Sequence, residues 1–540
     1  MVIMKMLPTF RRCNIGAHRA DTPVCPYMQM TSTVEQNFNA HRRGGPVCPP
    51  KIKAKTAKTM IKKLTILYMT LLSVFLGSCV EEADFSSNPS LRLEFSCDTV
   101  SFDTLFSEVM SPTAKFLVRN RNDKSLRINN VRLEGGGSSP FSVLVDGQYG
   151  TSMDGLEIRA RDSLYVLASV TVDRNGSDVP FMVKDSLLFT LESGVQQSIL
   201  LLAYGRDATF MHGVDIVADT TLAAGHYVIY DSLTVSQGAT LTLQPATTLY
   251  FHDKTFMKVA GRLVAEGTPA APVVFRGDRT DRMFSYLPYD RIPGQWDGVV
   301  FTPTSNGNRL AHCDIHSANY GIKVESGDTV QQRITIESSR VQNFHGNALE
   351  LVMARATALN SLFANAQGNC VKVVGGNVNF VHCTIANFYV WRQRDVALAL
   401  HNSIDGAPAP LHNALFANCV IAGSKDDEVM GYLTNLGDTV PNPVNYRFEN
   451  SLINAVDVAD SCFVNVLYDS VAVSPFGKEH FRLIDHNVFD YDFHLTAESR
   501  ARGLAADEWL ERLPVDIDGM PRTAGAADAG CYQYVEEAEE

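Results

Sequence analysis

Aromatic and basic side chains gather in two stretches that interrupt an otherwise strand-like pattern. Six of them form the candidate contact set: Tyr286, Tyr289, Trp296, Trp391, Arg392 and Arg394. Aromatic faces with polar groups beside them suit the stacking of sugar rings or the anchoring of a protein partner. We therefore predict that these residues contact a polysaccharide or a surface protein. For Trp296 the alternative stays open that it anchors its stretch against the core.

Carboxylates that could cleave a glycosidic bond are sparse. Hydrolysis needs two carboxyl groups that flank the bond. The dipeptides nearest to such a set are Asp426-Asp427 and His345-Gly346, and dipeptides of this kind occur by chance in most chains of this length. Asp395 and Asp405 lie far apart in the phase of the repeat described below, so no catalytic set emerges.

Metal and cofactor sites are not predicted either. His312 and His382 share a repeat phase but lie three coils apart, roughly 14 Å at one strand spacing per coil, too far to ligate one ion. Asp516-Ile517-Asp518-Gly519 begins like a calcium loop, yet the remaining EF-hand ligands are absent. The widely spaced cysteines contain no Cys-x-x-Cys.

A different chemistry is predicted at Cys79. Lys62-Lys63 precedes an apolar run that is too short to span a bilayer and has the flanks of a secretory signal. The run ends in Phe75-Leu76-Gly77-Ser78-Cys79, which resembles the lipobox of bacterial lipoproteins. In that family a diacylglycerol is attached to the cysteine and the preceding residues are removed. The resemblance implies lipidation of Cys79, a membrane partner reached through the lipid, and an outer-membrane location.

The residues around this signal set the expected location and charge. Glu81, Glu82 and Asp84 follow Cys79 and look like the surface-export signal of Bacteroidota lipoproteins; a solvated acidic linker and the periplasmic face are the alternatives. Residues 1–78 hold 12 of the 47 Lys+Arg and 2 of the 59 Asp+Glu, which leaves 35 basic and 57 acidic side chains, a formal charge of −22. Such a surface repels nucleic acid, so nucleic acid is not a predicted partner.

From Leu91 to about Gly205, short β-rich runs alternate with turn clusters. About seven strands over roughly 115 residues is the size and rhythm of a two-sheet sandwich. The runs Phe116-Leu117-Val118-Arg119-Asn120 and Asp185-Ser186-Leu187-Leu188-Phe189 are similar to immunoglobulin-like modules of the Hydin-related group. Since those modules act as spacers or bind partners, we expect a stalk.

The remainder contains an internal repeat that reads small–any–apolar. Its copies are Cys313-Asp314-Ile315, Ser339-Arg340-Val341, Ser361-Leu362-Phe363, Cys383-Thr384-Ile385, Cys419-Val420-Ile421 and Ser451-Leu452-Ile453. The residues before them are His312, Ser338, Asn360, His382, Asn418 and Asn450. A period near 22 residues predicts one coil of about three short strands, with the small residue inward and asparagine at sharp turns. The longer spacings imply insertions at about 390–410 and 425–445.

This repeat resembles the right-handed parallel β-helix of pectate-lyase-like proteins. A leucine-rich repeat is the competitor, but its Leu-x-x-Leu-x-Leu spine is missing. The fold hosts pectate lyases, polygalacturonases and epimerases, yet His345-Gly346 precedes Asp426-Asp427, opposite to the polygalacturonase order, and no Arg-Ile-Lys follows. The resemblance therefore predicts the fold more firmly than any activity.

The chain is accordingly predicted to be all-β, with a β-sandwich followed by a right-handed parallel β-helix. The predicted parts are a misplaced or disordered leader (1–59), a lipoprotein signal peptide (60–78), a tether (79–90), the sandwich (91–206), the β-helix with its N-terminal cap (207–532) and an acidic tail (533–540). The expected function is a membrane-anchored, non-enzymatic binding or adhesion module. The alternative is a polysaccharide lyase or glycoside hydrolase on the same scaffold.

Overall fold

The computed structural model confirms an all-β chain in which a β-sandwich precedes a parallel β-helix. The described residues are 84–177, 179–434, 442–469 and 477–536. The predicted leader 1–59, the signal peptide 60–78 and Cys79 lie outside these residues. Within them, no helix is both long enough and apolar enough to cross a bilayer.

The β-sandwich consists of two five-stranded sheets. The first contains, in spatial order, Glu94–Phe95, Ala114–Arg119, Ser163–Val170, Phe141–Val145 and Gln148–Gly150. The second contains Thr99–Phe106, Gln196–Arg206, Phe181–Leu191, Leu126–Leu133 and Ser152–Ile158. Inward residues alternate with outward ones along each strand, and the inward set, including Val118, Ile128 and Leu201, forms one core.

The chain enters and leaves the sandwich at opposite ends. Ser86, inside the predicted tether, donates its backbone N–H to the carbonyl of Ser125 over 3.0 Å, just before Leu126–Leu133 begins. That strand begins at the end of the sheet where Gln196–Arg206 also begins. Since Gln196–Arg206 has 11 residues, it spans about 36 Å before the chain passes to the β-helix.

Aromatic side chains join the sandwich to the first coils of the β-helix. Phe106 packs edge-on against Tyr250 with ring centroids 4.8 Å apart. Arg206 donates a hydrogen bond to the hydroxyl of Tyr250 over 2.7 Å. Phe106, Ala208, Val228 and Tyr250 form a small buried cluster of their own. The two parts therefore pack directly against each other.

Three parallel sheets, named A, B and C here, form the β-helix. Sheet A contains Thr209–Ile216, Gly225–Val235, Thr247–Phe251, Val273–Gly277, Cys313–His316, Arg340–Phe344, Leu362–Ala366, Thr384–Asn387, Val420–Gly423, Leu452–Asn454 and Leu467–Asp469. Sheet B branches from Gly225–Val235 and continues through Phe256–Val259, Gly298–Phe301, Ile322–Val324, Leu349–Val352, Val371–Val374, Leu398–His401 and Val429–Tyr432. Sheet C contains Thr220–Leu222, Thr240–Leu243, Arg262–Glu266, Asn308–Ala311, Gln332–Glu337, Arg355–Leu359, Gly376–Val381, Leu411–Ala417, Arg447–Glu449 and Phe463–Val464.

Short hairpins and 3-10 helices complete the sandwich and the β-helix. The described chain has antiparallel hairpins of Arg282–Phe284 with Leu287–Pro288, Ser403–Ile404 with Ala407–Pro408, and Phe481–Asp485 with Asp490–Leu495. Its 3-10 helices are Gly136–Ser138, Tyr289–Arg291, Lys478–His480 and Asp507–Trp509.

The predicted repeat marks the turn from sheet C to sheet A in each coil. All six residues before the small position adopt left-handed φ angles between 47° and 53°. All six small residues are buried, at 2% exposure or less. Ser339 illustrates why a small polar side chain suits this column: its hydroxyl accepts the N–H of Cys313 over 2.9 Å and donates to the carbonyl of Glu337 over 2.8 Å. The inward column and the sharp turn are both confirmed.

Stacked phenylalanines fill the interior of the last coils. Phe380, Phe416, Phe448 and Phe463 lie on neighbouring strands of sheet C, and their ring centroids are 5.0, 4.9 and 4.9 Å apart. The rings are nearly parallel, with interplanar angles of 12° or less. The distance between parallel strands therefore sets the distance between the rings.

The C-terminal segment, residues 477–536, packs on the outer face of sheet A. Strands such as Leu362–Ala366 and Thr384–Asn387 are buried on both faces because Phe481 and Phe493 pack on their outer side. The turn residue Asn418 fixes the segment, donating to the carbonyl of Ala506 over 3.0 Å and accepting its N–H over 2.9 Å.

The predicted insertions differ from those in the structure. Within 390–410, Leu398–His401 is a strand of sheet B, and within 425–445, Val429–Tyr432 continues that sheet. Leu398 faces the core and is fully buried. The extra residues are therefore divided into shorter loops on either side of regular strands.

Candidate functional site

An open groove lies where successive coils turn from sheet A to sheet B. It has a volume of about 520 Å³ and is lined by His345, Gln367, Gly368, Gln393, Arg394, Asp395 and Lys425. We call it the turn groove. These residues come from four different coils, so stacking of the coils, rather than proximity in sequence, assembles the groove.

Local backbone conformation explains how the groove is built. Asn343 and Asn365 are the penultimate residues of their sheet A strands and adopt left-handed φ angles of 67° and 54°. Such turns suit asparagine, which tolerates the left-handed conformation. The Asn365 side chain also bonds the backbone of the next coil, where its Oδ1 accepts the N–H of Phe388 over 3.1 Å. The next coil adds residues 388–397 before sheet B resumes, and this loop forms one wall of the groove.

Arg394, which lines the groove, belongs to a buried ion pair. Arg394 donates two hydrogen bonds to Glu428, of 3.0 and 2.6 Å. The Glu428 carboxylate also accepts the backbone N–H groups of Ala397 and Lys425 over 2.9 and 2.8 Å. Burial raises the pKa of Glu428, against the opposing effect of Arg394. Arg394, a predicted ligand contact, is thus held by a glutamate that the sequence analysis missed.

The other predicted residues of this loop lie beside the lining. Trp391 is half-buried and stacks on Phe489 with centroids 4.1 Å apart and rings 12° from parallel. Arg392 is exposed. Burial and the charge of Arg392 lower the pKa of His345, which keeps that imidazole neutral near pH 7. The structure therefore brings Trp391, Arg392 and Arg394 into one loop beside an uncharged histidine.

The remaining predicted contacts, Tyr286, Tyr289 and Trp296, are not among the residues that line the groove. Trp296 is fully buried, stacks on Phe251 at 4.3 Å, and donates its indole N–H to the His316 carbonyl over 2.9 Å. It anchors its loop to the core, the alternative left open by the sequence. Tyr286 is exposed on a hairpin, and Tyr289 is half-buried beneath the guanidinium of Arg279, 3.9 Å from the ring centroid.

A first histidine–carboxylate cluster lies on the outer face of sheet A. His316 lies 3.1 Å from Asp314 and 3.5 Å from Asp290, which also pairs with Arg276 at 2.5 Å. Burial alone would lower the pKa of His316, but Asp314 and Asp290 raise it to about 9. An imidazole that stays protonated at neutral pH is an ion-pair partner, not a proton acceptor.

A second cluster ties the C-terminal segment to the same face. His494 lies 2.7 Å from Asp518 and also contacts Asp492, while Arg340 of sheet A pairs with Asp518. Burial opposes the charged imidazole, but the two aspartates raise the pKa of His494 to about 9. These charges hold the segment to the β-helix.

Chemically, the turn groove offers hydrogen bonds and few groups for bond cleavage. Asp395 is the only carboxylate among the lining residues, and Glu428, buried behind them, is paired with Arg394. Asp427 faces a separate, apolar depression and accepts the N–H of Val456 over 3.1 Å. Across the described residues, no group of three or more His, Cys, Asp or Glu side chains, the two histidine–carboxylate clusters included, has the arrangement of a metal site. The groove thus presents hydrogen-bonding side chains, a single lining carboxylate and the uncharged imidazole of His345.

Comparisons with known proteins assign the chain to no family. No family model matches the chain, and no curated protein matches it in sequence. Among solved structures, a protein of unknown function from Porphyromonas gingivalis W83 is 19% identical over 25% of this chain and 59% of that one, with a TM-score of 0.17. An ASH/PapD-like domain of human CEP192 is 11% identical over 23% and 89%, with a TM-score of 0.16. The E. coli chaperone DraB is 14% identical over 23% and 57%, also at 0.16. Likenesses this distant carry no argument about function.

Proposed function

We propose that the protein is a surface-exposed lipoprotein of an outer membrane, and that its β-helix binds a polysaccharide without cleaving it. The observation that carries the proposal is the lining of the turn groove. Gln367 and Gln393 offer amide donors and acceptors to hydroxyl groups, and Asp395 has no second unpaired carboxylate facing it.

The sandwich is proposed to be an immunoglobulin-like stalk. Asp84 and Ser86 approach one end of it, and Arg206 leaves from the other, after a strand of about 36 Å. A lipid on Cys79 would lie only a few residues before Asp84. This arrangement favours a β-helix held away from the membrane, as a Bacteroidota-type surface lipoprotein with an acidic export signal would need.

The competing proposal is a polysaccharide lyase or glycoside hydrolase on the same scaffold. A hydrolase would require a second carboxylate close to Asp395, and no other carboxylate is among the residues that line the groove. A lyase would require a base, for which His345 and Lys425 are the candidates. A surface protein is the other ligand class that the aromatic loop would suit. The enzyme and the protein-binding module each predict a different experimental outcome from that of a glycan-binding module.

The deciding experiment scores binding and cleavage together. The full chain, purified from membranes, is titrated with a panel of polysaccharides, and the products are analysed for new reducing ends and unsaturated sugars. We expect binding without products, and Gln393→Ala should weaken it about tenfold, as expected for roughly 1.4 kcal/mol from a lost hydrogen bond. Gln331→Ala, at an exposed site on another loop, is the matched control. Accumulating products would establish the enzyme instead.

A further inference from the structure

Two side chains behind the turn groove orient His345. Asn319 Nδ2 donates to Asp297 Oδ1 over 2.7 Å, and Asn319 Oδ1 lies 3.3 Å from His345 Nδ1. A carboxylate only accepts hydrogen bonds, so Asn319 must turn its NH2 group to Asp297 and its carbonyl oxygen to the imidazole. A ring nitrogen that faces an acceptor carries the proton. Nδ1 of His345 is therefore the protonated nitrogen.

The other ring nitrogen, Nε2, keeps its lone pair. Among the described residues, no hydrogen bond is made to Nε2, and His345 lines the groove. Gly294 packs against the ring from behind: a Cβ at this position would lie 2.5 Å from Cε1 and Nδ1 of His345. Its φ of 84° also favours glycine. The loop that carries Gly294 and Asp297 thus restricts the imidazole to one orientation.

The charges that line the groove balance one another. Glu428 neutralises Arg394, and the exposed Asp395 offsets Lys425, so Arg392, exposed beside the lining, is the one positive charge left over in this set. A polyanion would gain little attraction from such a lining. The strongly acidic chain around it would add repulsion, since residues from Cys79 onward carry −22.

We infer that the turn groove takes an uncharged polyol, a neutral glycan chain, and that one of its hydroxyl groups donates a hydrogen bond to Nε2 of His345. The inference rests on the proposed function and names the ligand class for the same groove. Gln367 and Gln393 complete the set, because an amide can accept from one hydroxyl and donate to the next. Asn319 is a positioning residue, which acts through His345.

The tautomer of His345 can be measured directly, without any ligand. The full chain labelled with ¹⁵N-histidine is studied by NMR at pH 7.5, and His345→Gln identifies the signals of His345. We expect a protonated Nδ1 and an unprotonated Nε2, and Asn319→Leu should remove this preference while the other histidine signals stay in place. A protonated Nε2 in the parent chain would overturn the inference.

Polysaccharide binding provides the second test of the inference. The probes are the uncharged polymers dextran, mannan and galactan, and the uronate polymers alginate and polygalacturonate. We expect an uncharged probe to bind; His345→Leu should bind it about tenfold more weakly, whereas His345→Gln, which retains an acceptor near Nε2, should stay within about threefold. His412→Leu, at an exposed histidine outside the groove, is the control. Preferential binding of uronate polymers, or unchanged binding by His345→Leu, would contradict this inference alone. Failure of every probe to bind would contradict the proposed function as well.

Discussion

Removing the carboxylate of Glu428 should destabilise the β-helix more than removing its partner, Arg394. The two side chains are 0% and 5% exposed. Loss of one member of a buried ion pair leaves the other charge uncompensated, which typically costs about 3–5 kcal/mol. Glu428→Gln keeps the volume but leaves a guanidinium that cannot lose its proton. We therefore expect the full cost of about 3–5 kcal/mol in the free energy of unfolding.

Arg394→Met should cost less, because Glu428 has other means of stabilisation. Its carboxylate still accepts the N–H groups of Ala397 and Lys425, and it can take up a proton, since burial already raises its pKa. We expect a loss of about 1–3 kcal/mol. A raised pKa in the folded state contributes stability that is present at low pH and lost as pH rises. The Arg394→Met variant should therefore recover stability between pH 7 and pH 5, and Glu428→Gln should not.

Equilibrium urea denaturation followed by tryptophan fluorescence measures these differences, because the fully buried Trp296 reports on the core. Both variants are compared with the parent at pH 5 and pH 7. Asp395→Asn, at an exposed carboxylate of the same loop, is the control and should change the midpoint little. Equal losses in the two variants, or a loss below about 1 kcal/mol for Glu428→Gln, would refute this account of the buried pair.

Three further predictions follow from other parts of the chain. Cys79→Ala should leave the protein unlipidated and soluble in the periplasm; unchanged partitioning with membranes would refute the lipobox assignment. Cys383→Phe should overpack the inward column and lower stability by about 1–3 kcal/mol, measured as the melting temperature, whereas Cys383→Ser should be mild because the column already holds Ser361. For His494, whose pKa is raised to about 9, the contribution to stability should be complete below its ordinary pKa and disappear as pH rises towards 9 and beyond. His494→Gln should therefore weaken the pH dependence of the urea midpoint between pH 6 and pH 10. An unchanged pH dependence in this variant would contradict the prediction.

The coiled architecture could be predicted because each coil repeats the same steric constraint. A left-handed turn residue followed by a small inward residue recurs in sequence, as at Asn360-Ser361 and Asn418-Cys419, and the structure confirms both roles. The phenylalanine stack was missed, although Phe380, Phe416 and Phe448 each stand three residues before a member of the small column. The sequence carries this signal as a phenylalanine column in phase with the small column.

The groove was harder to predict because its parts are distant in sequence. Glu428 follows Asp426-Asp427 and looks like part of an exposed acidic run, and its burial depends on Arg394, 34 residues earlier on another coil. The six predicted contacts were all aromatic or basic and all lay in predicted loops, but burial separates Trp296 from the exposed Tyr286. Composition identifies side chains that suit a ligand; only the packing of neighbouring coils decides which of them face solvent.

The entry and exit of the chain at opposite ends of the sandwich have a mechanical consequence. If the lipid holds the chain before Asp84 while a bound ligand pulls on the β-helix, tension runs along the strands of the sandwich. Thr99–Phe106 and Gln196–Arg206 lie side by side and parallel, so tension would slide one along the other and load their hydrogen bonds together, not one after another. In this geometry the sandwich would resist shear, and under such a load it would pass the force on while staying folded.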